Sequence, residues 1–278
     1  MKRLKVNRET DLKTFLAEEL KISKSKAKDL IDTKNVLVNG ERVWIATHKL
    51  KKGDLVELPF FNSFKNEDYK IEKNILYEDD FIIAIQKPPF YESNKSKNSV
   101  EYLLRNFKRD KNIEAIHRLD RETSGVLLFA KNKKVFYKFK DLWSERRVKK
   151  VYLAISYGSA DFKRKFINLP VDRKIAKSDV YVLDKNNEFT LFKIDLKTGR
   201  KHQIRIHLAK IGYPIIGDKI YGLKKINDFR LKSINRQMLH AYTLEFIHPY
   251  YKKLMKIKAS IYPDFKKSLR ILKLRFNG

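Results

Sequence analysis

Residues His117-Arg118-Leu119-Asp120-Arg121-Glu122 place five polar or charged side chains in six positions, and the apolar run Val126-Leu127-Leu128-Phe129-Ala130 follows almost at once. Charges pressed against the start of a core strand are costly to desolvate unless they are paired. Two arrangements satisfy that constraint. One is a loop at the rim of a cleft, with Asp120 partly buried yet reachable. The other is an ordinary surface turn in which Asp120 pairs with Arg118 or Arg121.

A second dense stretch is Thr198-Gly199-Arg200-Lys201-His202-Gln203-Ile204-Arg205-Ile206-His207-Leu208. Gly199 ends the strand before it. Strand alternation would put Gln203, Arg205 and His207 on one face. Helical spacing puts Ile204, Leu208 and Ile211 on one face and makes Gly212 the stop, and its length and stop signal favour the helix. Either way Arg205 lies off the apolar face and is free to point into a cleft.

The first 60 residues read as a separate small module. Leu12, Phe15, Leu16 and Leu20 follow an amphipathic helical spacing, and Ser23 caps a second helix through Ile31. Val36-Leu37-Val38 and Arg42-Val43-Trp44 flank Asn39-Gly40, a strong hairpin signal. Lys52-Gly53-Asp54 makes a turn, and Leu55 to Leu58 a last strand. Pro59 to Asp68 reads as a linker. From residue 65 to 278 the chain mixes strands (Phe81–Ile85, Val126–Ala130, Val151–Tyr157, Phe189–Leu196) with helices marked by Val100, Leu103, Leu104 and Phe107, capped by Asn98 or Ser99, and by Val135, Phe136, Phe139, Leu142 and Trp143. The irregular order lacks a βαβ beat, so an α+β domain on a mixed, largely antiparallel sheet is expected.

Charge sets the partner. Sixty-three Lys and Arg against 33 Asp and Glu leave a net charge of +30 in 278 residues. A heat-adapted surface raises Glu along with Lys, so it explains the imbalance poorly; nucleic acid or an acidic membrane explains it better. Residues 1–60 carry +5 and the remainder +25, so the field lies mainly on the larger domain. With no cysteine, disulfides, Cys-ligated zinc, iron–sulfur clusters and a Cys nucleophile are excluded, and a reducing cytoplasm is expected. No apolar run reaches the roughly 18 residues of a membrane helix, and no apolar signal core follows the basic start. His202 and His207 are five apart and His240 and His248 eight apart, without carboxylate partners at ligand spacing. All six histidines, His117 included, are therefore expected to be structural, and no metal or other cofactor is implied.

The first module resembles the S4 RNA-binding domain, through the Phe15-Leu16 helix, Ile22 to Ala27 opening the second helix, Val36 to Gly40, and Leu50 to Asp54. That resemblance implies that Lys24, Lys26 and Lys28 face RNA; each taken singly is otherwise a solvated helix position. The larger domain is similar to the RluA-type pseudouridine synthases. The matching stretches are His117 to Lys131, Lys150 to Ala154, Thr198 to Leu208, Gly212 to Asp218 with Tyr221-Gly222, and Leu239-His240-Ala241 with Phe246 to Pro249. The run Pro89-Phe90-Tyr91-Glu92-Ser93 departs from the family, which has a small residue there and often a His further on.

The family resemblance implies an enzyme that isomerises uridines of structured RNA without a cofactor. It makes Asp120 the catalytic aspartate, pairs Arg205 with it, and packs Tyr152 against the target base. It places Arg118 in the space left by a flipped nucleotide, and His117, Arg121 and Arg200 among the RNA contacts. The bland counterparts are a core strand tyrosine for Tyr152 and a phosphate contact for Arg118. Large-subunit rRNA is the first substrate expected and tRNA the second, with the chain acting as a monomer and no DNA or membrane partner. Two other readings are a non-catalytic RNA-binding or ribosome-assembly protein on the same scaffold, and a metal-dependent nuclease, which would need a carboxylate cluster that the sequence does not display.

Overall fold

A computed structural model describes residues 2–58, 69–97 and 99–278. The expected linker at 59–68 and Asn98 lie outside the described residues. The chain divides into two compact units, one holding residues up to 63 together with 216–236, the other holding 64–215 and 237–278.

The first unit begins with strand β1 (Lys2–Lys5), β2 (Thr10–Asp11), helix α1 (Leu12–Leu20) and helix α2 (Lys24–Asp32). It continues through β3 (Leu37–Val38), β4 (Glu41–Arg42), β5 (Lys49–Leu50) and β6 (Leu55–Leu58). Both helices are capped as their sequences require. Asp11 accepts from Thr14 N–H at 2.9 Å, and Ser23 accepts from Lys26 N–H at 3.2 Å. Leu12, Phe15 and Leu16 meet Ala27, Ile31, Val36, Val38 and Val56 in one core, so the apolar spacing of α1 is spent on packing. The β3–β4 turn uses Asn39 at φ 52° and Gly40 at φ 83°, the left-handed pair that a two-residue hairpin demands. The sheet runs β1-β6-β3-β4, antiparallel throughout.

The second unit opens with β7 (Ile75–Glu78), β8 (Ile82–Lys87), α3 (Val100–Lys108), β9 (Glu114–Ala115), β10 (Ser124–Ala130) and α4 (Lys133–Ser144). There follow β11 (Lys149–Tyr157), β12 (Arg164–Asn168), β13 (Lys177–Lys185), β14 (Phe189–Leu196) and α5 (Gln203–Lys210). After an excursion containing the short α6 (Phe229–Lys232), the chain closes with β15 (Leu239–Ile247), β16 (Leu254–Lys258) and α7 (Pro263–Ile271). The sheet order is β12-β13-β14-β11-β15-β10-β8-β7, with β16 on β15 and β9 on β10. Among the described residues, β10 with β15 is its one parallel pairing. The fold is therefore α+β on a mixed, largely antiparallel sheet, as expected. Ile82, Ala84, Val126, Leu128, Phe139, Leu142, Leu244 and Phe246 form its core. The Lys-rich tail is ordered as α7, which buries Phe265, Ser268 and Leu269.

The excursion 216–236 folds with the first unit, a placement that the linear division at residue 60 does not contain. Ile226 N–H donates to Gly40 O at 3.0 Å. Lys232 pairs with the carboxylate of Glu57, which is only 1% exposed and also accepts from Arg3 Nε at 3.2 Å. A charge buried this deeply needs such partners. Residues nearly 180 positions apart thus share one core, and local periodicity carries no trace of that.

Candidate active site

Asp120 stands in the loop leading into β10. Arg205 Nη1, on α5, donates to its Oδ2 at 3.0 Å. The guanidinium side chain is 6% exposed and the carboxylate 29%. Asp120 is therefore half-buried and reachable, and its cation partner is Arg205, 85 residues away, rather than either arginine beside it. The helix reading of 203–211 is also the correct one, and it aims Arg205 inward from the turn after the positive-φ residue His202.

Tyr152, on β11, is 8% exposed. Burial raises the pKa of its phenol well above the ordinary tyrosine value, and the charge of Asp120 raises it further. The phenol therefore carries its proton at neutral pH. Opposite it, the β11–β15 register slips between Val151 and Tyr152, which face Thr243 and Ala241. The residue in between, Tyr242, is the extra one of a bulge, a device that re-aims side chains beside functional sites.

Two further groups reach the carboxylate. His202 Nε2 lies 3.8 Å from Asp120 Oδ1. Gln237 Nε2 lies 3.4 Å from Asp120 Oδ2 and donates to Thr123 Oγ1 at 2.7 Å, while Gln237 N–H donates to Glu122 Oε2 at 3.2 Å. Gln237 splints the loop 120–123 from the far side. The sequence alone gives it no role, since it lies 117 residues from Asp120 with no motif around it. His202 sits inside the second dense stretch, but only the folded geometry separates it from His207, whose ring is bonded to Ser178 Oγ and Leu169 O.

The divergent loop after β8 supports the same segment. Lys87 is fully buried, and its ammonium donates to the carbonyls of Pro88 (2.8 Å), Tyr91 (2.7 Å) and Arg121 (3.1 Å). Phe90 and Arg121 bond each other twice, from Phe90 N–H to Arg121 O at 2.8 Å and from Arg121 Nε to Phe90 O at 3.1 Å. Ser93 Oγ bonds Leu119 N–H and O at 2.9 and 3.0 Å. A buried ammonium must satisfy its donors, and here doing so clamps residues 88–93 onto 119–121, directly beside Asp120.

The residues expected to touch RNA separate into two groups. Arg118, Arg121 and Arg200 are exposed, as are Lys24, Lys26 and Lys28 on α2. Lys28 pairs with Asp32 at 2.9 Å, an exposed bond that water and salt weaken. His117 is less exposed than these arginines and lysines. Its ring stacks on Trp143 at 5.1 Å, and its Nε2 accepts Leu128 N–H at 3.2 Å. Burial, with help from Lys150 and Lys140, pulls its pKa down to about 3, so it is a neutral prop beneath β10.

The folded pKa of His117 lies below the unfolded value, so its contribution to stability is complete above the unfolded pKa and is lost as pH falls toward the folded one. From about pH 6.5 to about pH 5 that is at most about 2 kcal/mol. The fall in unfolding free energy over that window should be shallower in His117→Gln than in the native chain. His207 and His248 are shifted the same way and leave a residual slope. Equal slopes in urea titrations at the two pH values would remove this role.

Known proteins place this geometry. Residues 81–210 match the family model described as RNA pseudouridylate synthase, and residues 12–56 match that of the S4 domain. The chain is 33% identical over 279 aligned positions to the ribosomal large subunit pseudouridine synthase C of Buchnera aphidicola subsp. Baizongia pistaciae, covering 87% of each chain. It is 37% identical over 249 positions to an uncharacterized RNA pseudouridine synthase of Helicobacter pylori, covering 84% of this chain and 92% of the other. The solved structure of human RNA pseudouridylate synthase domain containing 4 shares the fold, with a TM-score of 0.64 at 22% identity, over 75% of this chain and 96% of that one.

Proposed function

Because the chain belongs to the RNA pseudouridylate synthase family, and is an RNA pseudouridine synthase with an S4 domain, we propose that Asp120 is its catalytic carboxylate, working with Arg205 and Tyr152 on a uridine of large-subunit rRNA. The supporting observation is the buried guanidinium of Arg205 at 3.0 Å from a carboxylate that remains open to solvent. The guanidinium holds one carboxylate oxygen while the group keeps an accessible face.

The reaction breaks the N1–C1′ bond of uridine, turns the free uracil, and forms a C5–C1′ bond. The proton leaving C5 is balanced by one gained at N1. A carboxylate serves as a nucleophile toward the base or sugar, or as a base on the sugar. Tyr152, protonated and buried beside Asp120, offers a ring face for the uracil and a phenol for hydrogen bonding. The uridine must leave its stack to reach this site, at a cost of a few kcal/mol. Arg118, exposed two residues before Asp120, fills the gap it leaves in this reading.

The rRNA assignment draws on the names of the curated relatives; tRNA is the second candidate. In this reading the first 60 residues grip RNA through Lys24, Lys26 and Lys28, residues 65–278 carry the chemistry, and the enzyme works in the cytoplasm as a monomer, without DNA or a membrane as partner. No helix among the described residues is long and apolar enough to cross a membrane. The test is pseudouridine mapping of total RNA from cells with and without the gene. Loss of one or more large-subunit rRNA sites is the expected result. Loss confined to tRNA would move the substrate, and no lost site would favour the non-catalytic scaffold reading.

A further inference from the structure

The turn between β12 and β13 carries a feature that uridine chemistry does not account for. Val171 and Lys174 bond each other twice, N–H to O at 3.0 Å in each direction, closing a two-residue turn on Asp172 and Arg173. Both turn residues are left-handed, at φ 49° and 59°. Such turns normally use Asn-Gly, and a non-glycine residue in that region costs roughly 1–2 kcal/mol. Strain of this kind gathers where a loop must hold a set shape.

What the turn holds out is Ile175. This β-branched aliphatic is 64% exposed, directly after the exposed cations Arg173 and Lys174, which form no ion pair among the described residues. Its backbone is bonded by Arg200. Arg200 Nε donates to Ile175 O at 3.2 Å, and Arg200 N–H donates to Gln203 Oε1 at 3.0 Å. Gln203 in turn donates from Nε2 to Lys177 O and to Ser178 Oγ, both at 3.0 Å. Arg200 precedes, by a few residues, His202 and Arg205, which reach Asp120. The exposed isoleucine is thus tied through one arginine to the loop that carries the carboxylate's partners.

We infer that Ile175 is an apolar wedge that enters the base stack of paired RNA beside the target uridine, with Arg173, Lys174 and Arg200 holding the flanking phosphates. Apolar side chains inserted between base steps unstack them, and the cost is offset by the larger protein surface that the distorted duplex then covers. Clustered cations supply the phosphate grip. A single exposed aliphatic beside cations, its carbonyl bonded by the arginine that precedes His202 and Arg205, fits that partner. The wedge rests on the synthase reading above and adds to it the class of substrate helped: a uridine that begins inside a helix.

Flipping costs least where the base is already unpaired, so the wedge should matter only on paired RNA. The probes are a synthetic stem-loop carrying a uridine located by the mapping, and the same RNA with mismatches at the two flanking base pairs. Ile175→Ser should lower kcat/KM about tenfold or more on the stem-loop, as loss of compensation for unstacking implies, and change it little on the mismatched RNA. Ile175→Leu should restore most of the loss. The side chain lies in solvent, so the variants should fold as the native chain does. Equal losses on both RNAs, or no loss on the stem-loop, overturn the wedge while native turnover leaves the synthase reading standing. A native enzyme inactive on both RNAs overturns that reading and the wedge together.

Discussion

Asp120→Asn should lower pseudouridine formation by at least about 1000-fold, the scale of loss when an essential nucleophile or base is removed. Every role open to a carboxylate at this site needs its negative charge or its basic lone pair, and the amide lacks both. The amide oxygen can still accept from Arg205, and the loop keeps its clamps from Lys87, Ser93 and Gln237. The fold should therefore survive, with a modest loss of stability because Arg205 exchanges a charged partner for a neutral one. RNA affinity should stay within a few-fold of native, because phosphate contacts made by the +30 chain dominate it. Single-turnover assays on a mapped rRNA fragment, with filter binding on the same RNA, separate the two effects. Retained turnover would dismiss Asp120 as the catalytic group, and lost binding with unchanged chemistry would make it a contact residue.

How far this site could be read from the chain depends on how local each signal is. The helices were legible because apolar spacing and caps are local: α1, α2 and α5 follow from a dozen residues each. The carboxylate was legible as a conflict, since charge crowded against a core strand demands a partner. Which partner was not readable from charge alone. Arg118 and Arg121 are closer in sequence, but Arg118 is exposed and Arg121 Nε is bonded to Phe90 O, and the fold delivers Arg205 instead. The Lys87 clamp, the Gln237 splint and the packing of 216–236 onto Gly40 and Glu57 were hidden for the same reason. Each joins segments whose meeting depends on strand order in a sheet, and order is not written in the periodicity of any one strand. His117 carried two expectations, a structural histidine from spacing and an RNA contact from the family resemblance; its Trp143 stack and lowered pKa support the first.

Gly125→Ala should destabilise the second unit by about 3 kcal/mol or more, among the larger single-residue effects, through backbone strain and overpacking. Gly125 opens β10 at φ 121°, where side-chain-bearing residues rarely sit. An added Cβ would stand 2.1 Å from the carbonyl oxygen of Ala241 and 2.6 Å from its nitrogen and carbonyl carbon. That backbone cannot yield easily. Ala241 is the parallel partner of Gly125 and also the antiparallel partner of Tyr152. Relief of the overlap must therefore shift the join of β10 and β15, which sets where the Asp120 loop stands, or the bulge that aims Tyr152. The two tryptophans give separate readouts, Trp44 in the first unit and Trp143 in the second. In a Trp44→Phe background, denaturation followed at Trp143 should show the lowered midpoint. In a Trp143→Phe background, Trp44 should report a first unit of nearly native stability. A surviving fraction of folded Gly125→Ala should still lose turnover, because β10 follows the Asp120 loop and β15 pairs with the strand that carries Tyr152. An unshifted Trp143 midpoint would show that the sheet accommodates the methyl group, and the close approach of β10 to β15 would then have no part in fixing the site.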